Sequence, residues 1–412
     1  MNFKKVMAAV LAGTMVFGMA SSVSAATEVS FWTLNTRQNA VEPIVEAFNE
    51  ANPDIKVTAS FYDTDGIKDA CKVAASSDTL PSMWFNWGGS LGSFYVDNDK
   101  TYDLTQYAKD NGWNDEFTEA ALDLCTFDNK LSGYPTSYNA LGVYYSKQIF
   151  DDCGIEVPIT FDEFEAALKT LKDNGYTPMD TAGLNGWHVM RWLELLVEHY
   201  AGAELHDKLN TFEESWDCEA VVQAFTKYKE WVDAGYFPDG FLTLDPNDTI
   251  MAMGTGECAM DLQGQWYDGT MIQNDLDPND YGVFAFPSGD SNRMSAFAEM
   301  TQFNKNLSDE ELDACVKFMD YYYSDDSVDQ YGEYYNLPLP KQGKKAPADQ
   351  VNVDGMLETS NTNGTFTITD QAFPTEVADV LFNAQDAVAN DEMTPEEAAS
   401  NIQKAIEEYQ AK

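Results

Sequence analysis

After an apolar N-terminal segment, the chain alternates between two hydrophobic periods. Residues 28–34 and 55–62 carry apolar side chains at alternate positions, which predicts two half-buried strands. Residues 38–52 and 67–76 carry them every three or four positions, which predicts two amphipathic helices. Residues 83–85 are wholly apolar, as is typical of a buried parallel strand. This order of strands and helices predicts a doubly wound α/β sheet.

Aromatic and polar residues follow the third predicted strand. Trp84 belongs to the apolar run and is predicted to be core, whereas Asn86 and Trp87 come at its carboxyl end, before two glycines that permit a turn. Ligands of open α/β sheets gather outside the carboxyl ends of the strands. An amide beside a flat aromatic face suits a sugar, which is polar at its rim and apolar on its ring. Core packing of Trp87 is an equal alternative.

The rest of the chain continues the mixture of helices and strands. Thr160 followed by Glu163 is the signature of a capping box at a helix start. Helices are predicted at residues 160–174, 217–234, 308–323, 370–389 and 394–410, and strands at residues 258–262, 281–286 and 297–303. The pentapeptide LDPND occurs at residues 244–248 and 276–280, which we interpret as repeated turn-and-cap chemistry.

The N-terminal segment has the form of a secretory signal peptide. Two lysines precede an apolar run at residues 6–19, and small residues lead to a cleavage site after Ala25. A retained membrane anchor is the alternative, but the run is short for a spanning helix. Residues 1–25 are therefore predicted to be removed, and the mature protein to be exported and extracytoplasmic. Because the first cysteine is Cys71, no lipobox accompanies the cleavage site.

The large negative net charge of the chain limits the classes of partner that it can bind. The formal net charge is −45 over 412 residues, and removal of the leader with its two lysines and no acids gives 22 − 69 = −47. Such a charge disfavours nucleic acid and anionic membranes as partners. It also disfavours an anionic ligand unless a local cation offsets the repulsion. A solvated acidic surface that keeps the protein soluble accounts for most of the charge.

The cysteines and short motifs argue against several chemistries. The six cysteines are scattered, with no C-x-x-C pair and no histidine at metal-ligand spacing, so we expect neither a metal nor a cofactor. We expect these cysteines to pack as small hydrophobic residues. The H-E-x-x-H and P-loop motifs are absent from the sequence, which removes the usual marks of zinc proteases and nucleotide-binding enzymes.

Several motifs along the chain together resemble the extracellular solute-binding proteins of carbohydrate ABC importers, the family of the maltose-binding protein. The motifs are FW at 31–32, WFNWGG at 84–89, GYP at 133–135, YYSK at 144–147, GECAMDLQGQW at 256–266 and the helical segment at 308–340. The resemblance implies a two-lobed α/β fold of the periplasmic-binding-protein type (class II), in which a hinge joins two lobes and each lobe is a mixed sheet flanked by helices. Its implied partners are an oligosaccharide and membrane permease subunits.

The resemblance also implies lobe boundaries. The N-terminal lobe would comprise residues 26–136 and 287–336, and the C-terminal lobe residues 137–286 and 337–412. Crossings between the lobes are expected near residues 134–141, 287–297 and 335–339.

Ten residues are predicted to line the ligand cleft. By position in the family these are Asn35, Arg37, Asn86, Trp87, Asn139, Trp187 and Trp266, to which the sequence pattern adds Asp63, Gln265 and Glu299. Trp266 follows a strand and a glycine, an exit that a purely structural tryptophan would not need. Asn139 stands where some relatives have a carboxylate, and Ser82 replaces the usual Asp, so the hydrogen-bond pattern is expected to differ.

Alternative structural roles remain open for several of these residues. Arg37 could pair with Glu42 rather than a ligand, and Glu299 could be a solvated surface carboxylate. His188 is expected to be structural, and Trp192 to pack its own helix. The tryptophans predicted to be core or surface structure are Trp113, Trp216 and Trp231.

The sequence as a whole predicts a binding protein without catalysis, a monomer that takes an oligosaccharide in its cleft and delivers it to an ABC permease. An exported glycoside hydrolase is the alternative, and it would need two carboxylates across the scissile bond. The pattern of two lobes with crossings differs from the eight strand–helix units of a hydrolase barrel. An adhesin-like surface protein is disfavoured because neither repeats nor a wall-anchor motif is present.

Overall fold

The structure is a computed structural model that describes residues 26–117, 119–289, 292–331 and 348–412. The predicted signal peptide, the predicted crossing at 335–339 and the lobe limit at 336/337 lie outside the described residues. No helix within the described ranges is long and apolar enough to cross a membrane.

The strands of the described chain alternate with helices through most of its length. The strands are β1 (Thr27–Leu34), β2 (Ile55–Tyr62), β3 (Met83–Trp87), β4 (Thr126–Phe127), β5 (Lys130–Leu131), β6 (Gly133–Ser146), β7 (Thr177–Asp180), β8 (Cys258–Gly264), β9 (Tyr281–Phe284), β10 (Met294–Phe303) and β11 (Thr365–Thr367).

Helices follow the strands along the whole described chain. The earlier helices are α1 (Gln38–Ala51), α2 (Thr64–Ser76), α3 (Gly89–Asp97), α4 (Thr105–Asp110), α5 (Trp113–Glu116), α6 (Glu119–Leu124), α7 (Lys147–Cys153), α8 (Phe161–Asp173), α9 (Trp187–Asn210) and α10 (Glu219–Asp233). The later helices are α11 (Thr249–Thr255), α12 (Tyr267–Gln273), α13 (Asp309–Tyr322), α14 (Asp325–Tyr331), α15 (Val353–Asn363), α16 (Thr369–Ala372), α17 (Thr375–Ala389) and α18 (Pro395–Gln410).

Most of the strands join one mixed sheet that spans both lobes. Its order is β2-β1-β3-β10-β6-β8-β7, with β11 beside β10 and β9 beside β6. β1 is parallel to β2 and β3, whereas β10 is antiparallel to β3 and β6. The parallel strands β1 and β3 end at the same edge of the sheet, which places their exit residues together.

Strand β6 connects the two lobes. Up to Ala140 it pairs with β10, and from Leu141 it pairs with β8 and β9. In the first lobe α1 and α13 pack on the sheet, with the rings of Phe48 and Phe318 5.3 Å apart. The two-lobed α/β fold predicted from the sequence is therefore confirmed, while the exact lobe limits remain a prediction.

The main strands and helices are correctly predicted, and the errors have local causes. Helix α2 begins at Thr64, three residues before the predicted start, because the Asp63 carboxylate accepts a 2.6 Å hydrogen bond from the Gly66 N–H and caps it. The helix predicted at 370–389 is split into α16 and α17, since Pro374 cannot donate a backbone hydrogen bond within a helix. Strand β11 precedes them and was not predicted.

Predictions of burial are largely confirmed. Trp84 and Trp192 are fully buried, and Trp113, Trp216 and Trp231 are at most 2 % exposed. All six cysteines are unpaired; four are buried, and the other two, Cys153 and Cys218, are half-buried. Both LDPND segments form a short 3₁₀ turn in which the aspartate at position two caps the following residues, as the sequence predicts.

Candidate functional site

A cleft lies between the two lobes at the carboxyl ends of β1, β3 and β8. Its central cavity has a volume of about 160 Å³ and is lined from both sides. The side chains in its walls include Leu34, Thr36, Thr64, Trp87, Phe297 and Glu299 from one lobe and Trp187, Arg191, Asn247, Thr249, Gln263 and Trp266 from the other. Smaller and outer cavities continue from it on either side and share several of these residues.

Three tryptophans face this central cavity, and each stands at the end of an element. Trp87 is the last residue of β3, Trp187 is the first of α9, and Trp266 follows β8. The Trp266 ring lies over Gly264, where a Cβ would come 1.9 Å from the nearest ring carbon. Trp187 and Trp266 are half-buried, and Trp87 is 9 % exposed. The fold therefore brings together three tryptophan rings that are far apart along the chain.

A buried ion pair forms the polar floor on the side of the first lobe. Arg37 Nη2 lies 2.6 Å from a Glu299 carboxylate oxygen, which also accepts a hydrogen bond from the Ser137 hydroxyl. Burial acts to lower the pKa of Arg37, but the charge and hydrogen bond of Glu299, together with Tyr322 and Tyr323, outweigh it, and the pKa is raised. Glu299 is 6 % exposed, so the solvated-surface alternative is wrong, and Arg37 pairs with Glu299 rather than Glu42.

A bulge in the sheet accompanies Glu299. In the pairing of β10 with β6, Glu299 lies opposite Ser137 whereas Met300 lies opposite Pro135, so β6 has one extra residue there. Such bulges redirect side chains and tolerate proline. The bulge thus coincides with the point where a charged side chain of β10 enters the cleft wall.

A buried hydrogen-bond network supports the cleft on the side of the second lobe. The Asp261 carboxylate accepts hydrogen bonds from the Gln263 amide at 3.0 Å and the Tyr267 hydroxyl at 2.9 Å, and His188 Nε2 lies 3.3 Å from it. Burial lowers the pKa of His188, so its imidazole is neutral near pH 7. Burial beside Asp261 raises the pKa of Asp180 to about 9, which keeps that carboxyl protonated. His188 is structural, as predicted.

The two lobes touch each other at the mouth of the cleft. Asn185 donates a 2.5 Å hydrogen bond to the Asp65 carboxylate, and the Thr64 hydroxyl lies 3.3 Å from the Asn247 side-chain oxygen. The predicted site residues Asn35 and Asp63 are exposed and line the outer cavity at this mouth. In this structure the two lobes are therefore in direct contact at the mouth of the cleft.

Besides Arg37, whose guanidinium pairs with the cleft residue Glu299 but does not itself line a cavity, three predicted site residues do not line the cleft cavities. Asn86 donates to Gln302 at 2.8 Å, and its oxygen accepts a hydrogen bond from the Trp87 N–H. Asn139, 1 % exposed, donates to Ser137, and the fully buried Gln265 accepts from the Ala140 N–H at 2.7 Å. Their amides hold strands and turns in place, so their contact with a ligand remains a prediction that this geometry does not favour.

Several cleft residues were not predicted from the sequence. The cations Lys68 and Arg191 lie near tryptophan rings: Lys68 Nζ is 5.0 Å from Trp87, and the Arg191 guanidinium carbon is 4.6 Å from Trp187 and 5.4 Å from Trp266. The i, i+4 spacing of Trp187 and Arg191 on a predicted helix was a usable signal, because such residues share one face.

The structure offers little for metal or serine chemistry in the described residues. No group of three or more histidine, cysteine, aspartate or glutamate side chains is arranged to hold a metal ion there. Residues 88–92 read G-x-S-x-G at the turn from β3 to α3, but the Ser90 hydroxyl donates to the Asp370 carbonyl. The three histidines, His188, His199 and His206, bond to other groups, so none of them serves as a base for Ser90.

Known proteins resemble the chain in both sequence and fold. An uncharacterised ABC transporter extracellular-binding protein of Pyrococcus horikoshii is 27 % identical over 59 % of the chain and 56 % of its own length. A multiple sugar-binding protein of Streptococcus mutans is 23 % identical over 74 % of the chain and 72 % of its own length. A solved chitin oligosaccharide binding protein, 23 % identical, superposes with a TM-score of 0.84 over 94 % of the chain and all of its own.

A family model gives the broadest assignment. The model of the bacterial extracellular solute-binding proteins matches residues 33–329, which include the ends of β1, β3 and β8 and the three cleft tryptophans. The chain belongs to the bacterial extracellular solute-binding proteins.

Proposed function

We propose that the protein binds an oligosaccharide in the cleft between its lobes, outside the cytoplasmic membrane, and delivers it to the permease of an ABC importer. The observation that carries this proposal is the convergence of Trp87, Trp187 and Trp266 on one cavity with a polar frame. Aromatic faces bury the C–H surfaces of a pyranose, and amides, carboxylates and guanidinium groups pair with its hydroxyls. Relatives named as sugar-binding proteins support this choice of ligand.

The polar groups of the cavity suit hydroxyl recognition. Glu299 supplies a carboxylate fixed by Arg37, and Gln263 supplies an amide fixed by Asp261. Both groups also line the central cavity, so each is held in place by protein partners and offers its remaining hydrogen-bonding capacity to a ligand. Rigidly held polar groups of this kind lose little conformational freedom when a ligand binds.

We infer that ligand capture occurs by closure of the two lobes. Ligand would bind to one lobe, the second lobe would close over it by hinge bending, and the closed form would dock on membrane permease subunits. Few direct contacts cross the mouth of the cleft, which favours a closed state that depends on the ligand for much of its stability. We expect the working protein to be a monomer in the periplasm or at the cell surface.

The hydrolase alternative lacks a suitable pair of acids in the central cavity. The one carboxyl among the described residues of its lining is Glu299, and an ion pair with Arg37 holds it. Hydrolysis would need a second carboxyl facing it across the scissile bond. We therefore propose binding without turnover.

Calorimetric titration with a panel of oligosaccharides, combined with an assay for released sugar, tests the proposal. We expect saturable binding of at least one oligosaccharide and no release of shorter products. Sugar release without stable binding would establish the hydrolase alternative. Failure of every sugar to bind the folded protein would refute carbohydrate as the ligand class.

A further inference from the structure

Arg191 is a buried cation in the cleft that lacks a carboxylate partner. The residue is 6 % exposed, and no carboxylate oxygen of the described chain lies within 4 Å of its guanidinium nitrogens. Its Nη1 is 3.4 Å from the Leu262 carbonyl and from the Gln263 side-chain oxygen, and its Nε has no partner. Arg37, by contrast, lies 2.6 Å from Glu299. Buried charges are normally paired, because desolvation without a counter-charge is costly.

A second unpaired donor lies beside Arg191. The indole N–H of Trp187 is buried and has no hydrogen-bond acceptor among the described residues. Arg191 lies over the rings of both Trp187 and Trp266, and all three line the central cavity. Two neighbouring donors without acceptors, one of them charged, match a group that only accepts hydrogen bonds. A carboxylate is such a group, with two oxygens that fit the fork of a guanidinium.

Three acids near Arg191, namely Asp370, Asp261 and Glu194, act on it through their charge, but none of their carboxylate oxygens lies within 4 Å of its guanidinium nitrogens. Asp370 lines the adjoining small cavity together with Lys68 and Arg191, and burial raises the pKa of its carboxyl. Lys68 already has a partner, since its ammonium lies 3.0 Å from Asp65. In addition, α9 begins at Trp187 after Gly186, which has no side chain to cap the first N–H groups. The positive end of this helix adds to the charge of Arg191 in the cavity.

We propose that the ligand is an acidic oligosaccharide, and that a sugar carboxylate pairs with Arg191 between the rings of Trp187 and Trp266. The inference rests on the proposed function, since it assumes that this cleft binds a sugar. Arg191 is the local cation that offsets the strong negative charge of the rest of the molecule. A neutral sugar could accept hydrogen bonds from these donors, but it would leave the guanidinium without a carboxylate at contact distance when the cleft closes.

Matched pairs of ligands test the role of the sugar carboxylate. The panel comprises oligosaccharides of galacturonate, glucuronate and mannuronate, the methyl ester of each, and the neutral galactose, glucose and mannose counterparts. We expect the tightest ligand to be one of the acids, and its methyl ester to bind at least about tenfold more weakly, as for a lost charged hydrogen bond. A neutral oligosaccharide that binds more tightly than every acid would overturn the inference and leave the proposed function intact.

Variants of Arg191 test the pairing itself. In Arg191→Met the ratio of acid to ester affinity should fall to near one, whereas Arg191→Lys should retain part of it. The exposed Lys169→Gln removes the same charge far from the cleft and should leave the ratio unchanged. An acid-to-ester ratio that survives in Arg191→Met would contradict the pairing.

Thermal melting of the ligand-free variants separates this role from a structural one. Loss of an unpaired buried charge should leave the melting temperature of Arg191→Met equal to or above that of the wild type. A clear fall in that temperature would show that Arg191 is a structural residue. The acid-to-ester affinity ratio would then be measured in Arg191→Lys, which keeps the charge. If no sugar in either panel binds the wild type, the proposed function fails and this inference fails with it.

Discussion

Trp187 and Trp266 stand where an element begins or ends, whereas Trp192 and Trp231 lie inside helices and are buried. Side chains within a helix face its packing surface, but a residue at an exit can turn toward a cavity. The position of a tryptophan relative to its element thus separates the two roles. This distinction was accessible from the sequence, because glycines mark the exits.

Trp266→Ala should separate ligand contact from stability. We expect sugar affinity to fall by about tenfold to a hundredfold, since an aromatic stacking partner is lost, while the melting temperature changes little. Titration calorimetry and thermal unfolding measure the two effects. Trp32→Ala is a matched control, because Trp32 is also half-buried but packs on Tyr62 at 5.1 Å outside the cleft. A large loss of stability with intact affinity would make Trp266 a core residue.

Asp180 should make stability depend on pH. Its pKa is raised to about 9 by burial and by Asp261, so between about pH 4 and pH 9 the folded state holds a proton that the unfolded state releases. Stability should therefore fall as the pH rises through this range, by at most about 1.4 kcal/mol per pH unit.

The variant Asp180→Asn should lose this part of the pH dependence. Thermal unfolding at pH 5, 7 and 9 should show the melting temperature of the wild type falling relative to that of Asp180→Asn. Asp217→Asn, a change at an exposed position, is the control and should follow the wild type. Parallel curves for all three proteins would mean that Asp180 is not protonated in the fold.

Partners distant in sequence limited the prediction of the site. The sequence offered Glu42 as a partner for Arg37, because it is near, yet the partner is Glu299, 262 residues away. Asn86 was predicted at a strand exit, but it lies within β3, and its amide bonds to Gln302 on the neighbouring strand. The exit of a strand can be predicted from periodicity, whereas the side chain that another strand presents there cannot.

At the scale of elements, the strands and helices with a clear hydrophobic period were predicted to within a few residues. Strand β2 matches its prediction, and the capping boxes of α8, α13 and α18 fix their starts. The short elements β7 and β11 escaped prediction, since three or four residues are too few to show a period. These strands are held by pairing with β8 and β10 rather than by their own pattern.

Gly264, at the end of β8, should control the position of the Trp266 ring, on which the sugar is expected to stack. In Gly264→Ala the new methyl group would occupy the space of the Trp266 ring, so the ring must move. We expect sugar affinity to fall by about tenfold or more although no side chain that contacts sugar has been removed. Titration calorimetry measures this loss. Gly355→Ala, where a Cβ meets open space, should bind like the wild type. Unchanged affinity in Gly264→Ala would show that Trp266 is not needed in its present position.

At the scale of the whole molecule, the two-lobed arrangement was expected from the resemblance and the cleft mouth was not. The contacts of Asp65 with Asn185 and of Thr64 with Asn247 join segments more than a hundred residues apart. No local pattern in the sequence marks such pairs. They follow only once the lobes are placed face to face, which is a property of the complete fold.

The contact between Asp65 and Asn185 should favour the closed state. Asn185→Ala removes this hydrogen bond, so we expect sugar affinity to fall by about threefold to tenfold. Small-angle X-ray scattering should show a larger radius of gyration for the variant at limiting sugar, and the wild-type value at saturation. Asn401→Ala, at an exposed position on α18, is the control. A variant that keeps wild-type affinity and scattering would show that the contact does not influence closure.

Strand β6 has a consequence for how the protein reaches its native state. Because one strand of fourteen residues pairs with strands of both lobes, a slip of one residue in its pairing would invert the inward and outward faces in both lobes together. The extra residue opposite Glu299 and Met300 fixes that pairing at one point. The bulge in β6 therefore sets the strand register of both lobes during folding, before any ligand binds.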